Sequence, residues 1–119
     1  MDNTPIVIFG YNRPSHFERT LNSIFNNKEA SDTEAFIFID GVSNETDELN
    51  NQKVISIASR ELKFRKTTVH IREENIGCKR NIIDGVSEVF SVHKQAIIIE
   101  DDLILGKNFL NYMNNALSF

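Results

Sequence analysis

"TTVHIR" (67–72) sets Val69 and Ile71 against Thr68, His70 and Arg72 in strict alternation, the pattern of a strand with one dry face and one wetter face. Three other runs read differently. "PIVIF" (5–9), "AFIFI" (35–39) and "QAIIIE" (95–100) are rich in β-branched and aromatic residues and apolar almost throughout, as strands covered on both faces should be. The alternating segment therefore belongs at the edge of a sheet whose interior holds the others.

Helical periods separate these runs. Ser15 and Glu18 have the spacing of a capping box, and Phe17, Leu21, Ile24 and Phe25 share one helical face behind them. A second helix is expected from Thr46 to Leu62 with Leu49, Val54, Ile57 and Ala58 inward. In the third, Ile82, Ile83, Val86, Val89 and Phe90 form one apolar stripe, and a fourth carries Phe109, Leu110, Met113 and Leu117. Strict β-α alternation implies right-handed crossovers and a mostly parallel sheet. The fold class is α/β, a Rossmann-like three-layer α/β/α half-domain, and the third strand at the edge gives the order 3-2-1-4.

Composition sets the outer bounds. The 119 residues amount to one domain, and 40% hydrophobic with 25% charged residues describes a chain able to bury a core. No apolar run approaches the roughly 18 residues of a membrane span, and "MDNTPIVIFG" lacks the basic start and cleavage site of a signal peptide, so the cytoplasm is the expected location. The single cysteine, Cys78, excludes an internal disulfide and a cysteine-based zinc site. A net charge of -4 argues against non-specific nucleic-acid binding. The one basic cluster, Arg60, Lys63, Arg65 and Lys66, reads as a solvated helix end.

In a 3-2-1-4 sheet the winding reverses between strands one and four, and a crevice opens at their carboxyl ends. Those ends carry "GYNRP" (10–14) and "EDD" (100–102), so Arg13 should face Glu100, Asp101 and Asp102 across one cleft. Adjacent carboxylates suit Mg²⁺ or Mn²⁺, which complete their shells with phosphate oxygens and water. Arg13, with Arg80 near a helix start, would offer cations to the same phosphate. The structural alternative is that the acids solvate a strand end and cap a helix beginning near Gly106.

"PIVIFGYNRP", "FIFIDG", "ENIGCKRN" and "IIIEDDL", in this order, resemble the nucleotide-sugar-binding half of a GT-A fold glycosyltransferase. The triplet is similar to the DxD motif written EDD in the N-acetylglucosaminyltransferase I type, and "NIGCKRN" to the N-x-G-x-x-R-N stretch of the family 2 enzymes. The resemblance covers essentially the whole chain. It implies that Asp102 is the direct ligand of Mn²⁺ or Mg²⁺, with Asp101 and Glu100 reaching the ribose or donor sugar. It implies that Asp40 reads the uracil ring of a UDP-sugar, that Arg80 lies near the diphosphate, and that Tyr11, Asn12 and Arg13 form the nucleotide-contacting loop. Such transferases continue past the acidic motif, where the acceptor site and, in inverting members, the catalytic base lie. Residues 1–119 are accordingly expected to be one donor-binding domain, the N-terminal part of a longer glycosyltransferase. The chain alone is expected to transfer no sugar to a glycan or other hydroxyl acceptor, and its fourth strand to offer an exposed sheet edge for self-association.

Other residues have plainer readings. Cys78 has no histidine partner in sequence view and serves as packing or spacer. His16, His70 and His93 fall on a helix, an edge strand and a loop, which is no metal site. Gly77 permits a turn, and Asp40-Gly41 alone would be a strand-end turn. Two rivals share the metal chemistry. A receiver-type phospho-acceptor domain needs its acidic pair after the first strand, where "GYNRP" stands, and a nucleotidyltransferase needs an early glycine-rich, lysine-bearing loop that is absent.

Overall fold

The four strands are β1 (Ile6–Gly10), β2 (Glu34–Ile39), β3 (Lys66–Ile71) and β4 (Ile97–Glu100), each within two residues of its expected bounds. In this computed structural model, which describes residues 3–118, they form one all-parallel sheet in the order β3-β2-β1-β4. Ile6 of β1 pairs with Ala35 of β2 on one side and Ile97 of β4 on the other, so β1 is central and every one of its residues is buried. β3 is partly exposed along most of its length, as its alternation required of an edge.

Helix α1 (Pro14–Phe25) starts at a proline, whose fixed φ and missing N–H suit the first helical position. The expected Ser15–Glu18 capping box does not form. Ser15 lies inside the helix, and Glu18 instead meets Arg60 in an exposed pair worth at most about 1 kcal/mol. Phe17, Leu21 and Ile24 are buried on the sheet as expected.

Helix α2 (Glu48–Ala58) follows a 3₁₀ turn (Glu45–Asp47) capped by Asn44, and it ends short of Leu62. Val54, Ile57 and Ala58 point inward, but Leu49 is 66% exposed. The inner position goes to Asn51, three and seven residues before Val54 and Ala58 and so on their face.

Helix α3 (Cys78–Phe90) buries Asn81, Gly85 and Val89, while Ile83 and Phe90 stay about half exposed, so its apolar stripe is narrower than expected. Gly85 explains the close approach. A Cβ there would stand 2.7 Å from the Phe9 ring, so only glycine lets the helix lie this near the sheet. Helix α4 (Phe109–Leu117) buries Leu110 and packs Phe109, Met113 and Leu117 on the core.

Coverage of the two faces is unequal. Helices α1, α2 and α4 pack on one face, over a cluster that includes Ile6, Ile8, Ile37, Ile97 and Ile99. On the other face, among the described residues, only α3 packs, over Val7, Phe9 and Phe38. Strand β4 is therefore buried on alternate residues rather than throughout, and Ile98 is 39% exposed. Among the described residues no helix is long and apolar enough to cross a membrane.

A polar row runs along α1 and past its C-terminal end. Thr20 donates to the carbonyls of Asp101 and Leu103, Ser23 accepts from the Leu105 amide, and Asn27 donates to the Gly106 carbonyl while accepting from the Leu110 amide. All three side chains belong to buried residues. The irregular segment between β4 and α4 is thus held to α1 by side chains where a strand ladder would use backbone.

Candidate functional site

The crevice opens where the strand order reverses. Its volume is about 420 Å³, and it is lined by Phe9, Gly10, Tyr11, Asn12 and Arg13 from the end of β1, Glu100 and Asp101 from β4, Asp40 from β2, and Asn75, Gly77, Cys78 and Asn81 from the approach to α3. Six of the expected site residues, Tyr11, Asn12, Arg13, Asp40, Glu100 and Asp101, are thereby brought together. Two lie outside this lining. Asp102 is exposed, and Arg80 turns along α3 to Asp84, its Nε 3.1 Å from the carboxylate, with 69% of its side chain exposed.

Glu100, the last residue of β4, and Asp101, the first beyond it, go to opposite faces as successive residues at a strand end do, while Asp102 is exposed in the turn that follows. Glu100 pairs with Phe9 in register and shares its face, whereas Asp101 turns toward α1 and meets Arg13. The Arg13 guanidinium is 2.5 Å from the Asp101 carboxylate, which is 92% buried on a side-chain basis against about half for Arg13. Burial pushes the Asp101 carboxyl above its ordinary value, and Asp102 adds to that, while Arg13 pulls it back down.

Asp40 is the most heavily bonded side chain of the cleft. Its Oδ1 accepts from the amides of Gly41 and Ile76, both at 2.9 Å, and its Oδ2 accepts from the Gly77 amide at 3.0 Å and from Asn75 Nδ2 at 3.2 Å. A carboxylate offers about four acceptor positions, and all are taken. A uracil ring N–H could reach Asp40 only by displacing one of these donors. The carboxylate instead clasps residues 75–77, where Gly77 turns the chain at φ +87° into the start of α3. Gly77 thus plays the turn role expected of it.

The loop after β1 is also held from outside. Tyr11 Oη and Asn12 Nδ2 each donate to Asp47 at 2.8 Å, and the buried Asn51 donates to the carbonyls of Tyr11 and Asp40. Asp47 was not among the expected site residues. In sequence it is one of several acids ahead of α2, and nothing local marks it as the partner of residues 35 and 36 positions earlier. Asn12 and then Tyr11 hold its carboxyl below the ordinary 3.8, against a smaller opposing effect of burial. With a folded value below the unfolded one, Asp47 favours the folded state above pH 3.8, and that contribution is lost as pH falls through the lower folded value. In a carboxyl-carbon NMR titration Asp47 should show its midpoint below 3.8, and Asn12→Ala should move that midpoint upward. A midpoint unmoved by the substitution would mean that the bond does not persist in solution.

Among the described residues no group of three His, Cys, Asp or Glu side chains is gathered to hold a metal ion. A metal held wholly by protein does not fit this cleft. An ion bound through one or two carboxylates and completed by phosphate oxygens does, since Glu100 and Asp101 line the cleft and Asp102 follows directly in the chain. Cys78 is exposed, with its thiol free. No protein-family model matches the chain, and no curated protein matches it in sequence.

Proposed function

We propose that the cleft binds a nucleoside diphosphate-sugar, a UDP-sugar, with a divalent cation, as the donor site of a glycosyltransferase. One observation carries the reading: Arg13 after β1 meets Asp101, just past β4, at a crevice that Glu100 also lines at the carboxyl ends of these strands, the place where open parallel sheets of this order bind nucleotides. Arg13 is the cation for the diphosphate. Arg80 would have to leave Asp84 to serve the same end. Glu100 or Asp101, which line the cleft, would hold Mn²⁺ or Mg²⁺ together with Asp102, which would have to turn in from outside the lining, and the ion would neutralise charge on the leaving diphosphate. Tyr11 and Asn12, fixed by Asp47, form the wall beside the nucleotide, and Asp40 shapes the site by holding residues 75–77. An acceptor hydroxyl and its base would be supplied by groups outside this cleft. The receiver-type reading gains no support at β3, which runs into Arg72 stacked on Phe38.

The test is calorimetric titration of UDP with Mn²⁺ and again with EDTA. Binding should require the ion and weaken at least tenfold in Asp102→Ala, about 1.4 kcal/mol or more. Equal affinity in EDTA would remove the metal, and no binding in either condition would remove the nucleotide.

A further inference from the structure

The Arg13–Asp101 pair spans the mouth of the proposed site, and its two members are held very differently. Asp101 is fixed: its side chain is 8% exposed, and its backbone carbonyl is anchored by Thr20. Arg13 is movable. Its side chain is 48% exposed, and among the described residues its guanidinium makes no other hydrogen bond or ion pair. Asp102, next in the chain after Asp101, adds a second acid close enough to act on it, so Arg13 sits in a local excess of negative charge.

We propose that this ion pair is an exchangeable latch that makes cation and phosphate binding depend on each other. On entry of both, the cation takes the Asp101 carboxylate and the Arg13 guanidinium passes to the phosphate. Either ligand alone meets an obstacle. A phosphate that draws Arg13 away leaves a nearly buried carboxylate unpaired and adds a further anion beside Asp101 and Asp102, which is costly. A cation alone must compete with a guanidinium already in place and then sits beside that displaced charge. Together they satisfy every group, and the coupling acts equally in both directions. This inference rests on the donor-site reading for its ligands, but its geometry needs only a divalent cation and a phosphate.

Two substitutions separate the latch from a merely structural bond, and the probes are Mn²⁺ alone and inorganic pyrophosphate alone. Arg13→Gln should bind Mn²⁺ without phosphate at least fivefold more tightly than the wild type, by electron paramagnetic resonance, because Asp101 is released. Asp101→Asn should bind pyrophosphate without metal at least fivefold more tightly, because Arg13 is released. A bond that only stabilises the cleft would weaken both. Mn²⁺ affinity in Arg13→Gln equal to or below that of the wild type would overturn the proposal. The wild type gives a reading that needs no variant: the Arg13 Nε–Hε resonance should shift on adding Mg²⁺ with pyrophosphate and stay in place with Mg²⁺ alone. A shift of the same size with Mg²⁺ alone would also overturn it. If both affinities rise as expected while UDP fails to bind, the latch stands and the sugar-donor reading falls. If UDP binds with Mn²⁺ but Arg13→Gln leaves Mn²⁺ affinity unchanged, the reverse holds.

Discussion

Asp40→Asn should cost the fold roughly 3–5 kcal/mol although it removes no atom of bulk. The carboxylate accepts from three backbone amides and one side-chain amide, and it is 3% exposed. Asparagine keeps one acceptor oxygen and replaces the other with an NH₂ that faces donors, so at least one amide among Gly41, Ile76 and Gly77 is left without a partner. Hydrogen bonds to charged groups contribute about 1.5–3 kcal/mol each, and an orphaned buried donor costs a similar amount. The urea midpoint should fall with the slope unchanged, and the Ile76 and Gly77 amides should lose protection from exchange beyond the global drop. A variant of wild-type stability would show that the 75–77 loop holds itself and that Asp40 is free to meet a ligand.

Phe38→Ala should be comparably damaging, at roughly 3–5 kcal/mol, the usual cost of emptying a buried aromatic site. Phe38 is fully buried in β2 and stacks on both neighbours, Phe9 at 5.6 Å between ring centroids and His70 at 4.7 Å. The Arg72 guanidinium lies 5.2 Å from the same ring centroid, and its Nη2 is buried without a hydrogen-bond partner among the described residues. The ring therefore compensates a charge as well as filling space, through its negative face. Phe36→Ala, at a partly exposed position on the same strand, should cost clearly less. Thermal melts of the two variants side by side check this, and equal losses would mean that the Phe38 stack adds nothing beyond area.

Strand order and the cleft's position were legible because they follow from local patterns. The alternation of Val69 and Ile71 with Thr68, His70 and Arg72 marked the edge, and the rest is the handedness of β-α-β crossovers. Helix phases were legible only where apolar residues were unambiguous. Phe17, Leu21 and Ile24 are inward as expected, but Leu49 is not, since a polar Asn51 is used inside to bond two carbonyls. Which residues meet was legible for Arg13 and Asp101, whose strand ends adjoin. It was not legible for Asp47, nor for the saturation of Asp40, because both depend on where a loop returns after 35 or more residues. Polar partnerships at such range leave no periodic trace in a chain.

The row of Thr20 and Ser23 on α1 and Asn27 just past it bears on the order in which the molecule assembles. Its bonds to residues 101–110 join positions 79 to 83 apart in sequence, whereas β1 meets β2 across a span of 29 residues. Closing the larger loop costs more chain entropy, and its bonds form only after α1 is already seated on the sheet. The acidic segment is therefore expected among the last parts to arrive, and a chain with only its first three strands paired would have a sheet but no place for a ligand. Whatever binds in the cleft recognises only the finished molecule. It would slow the first step of unfolding and leave the rate of folding untouched.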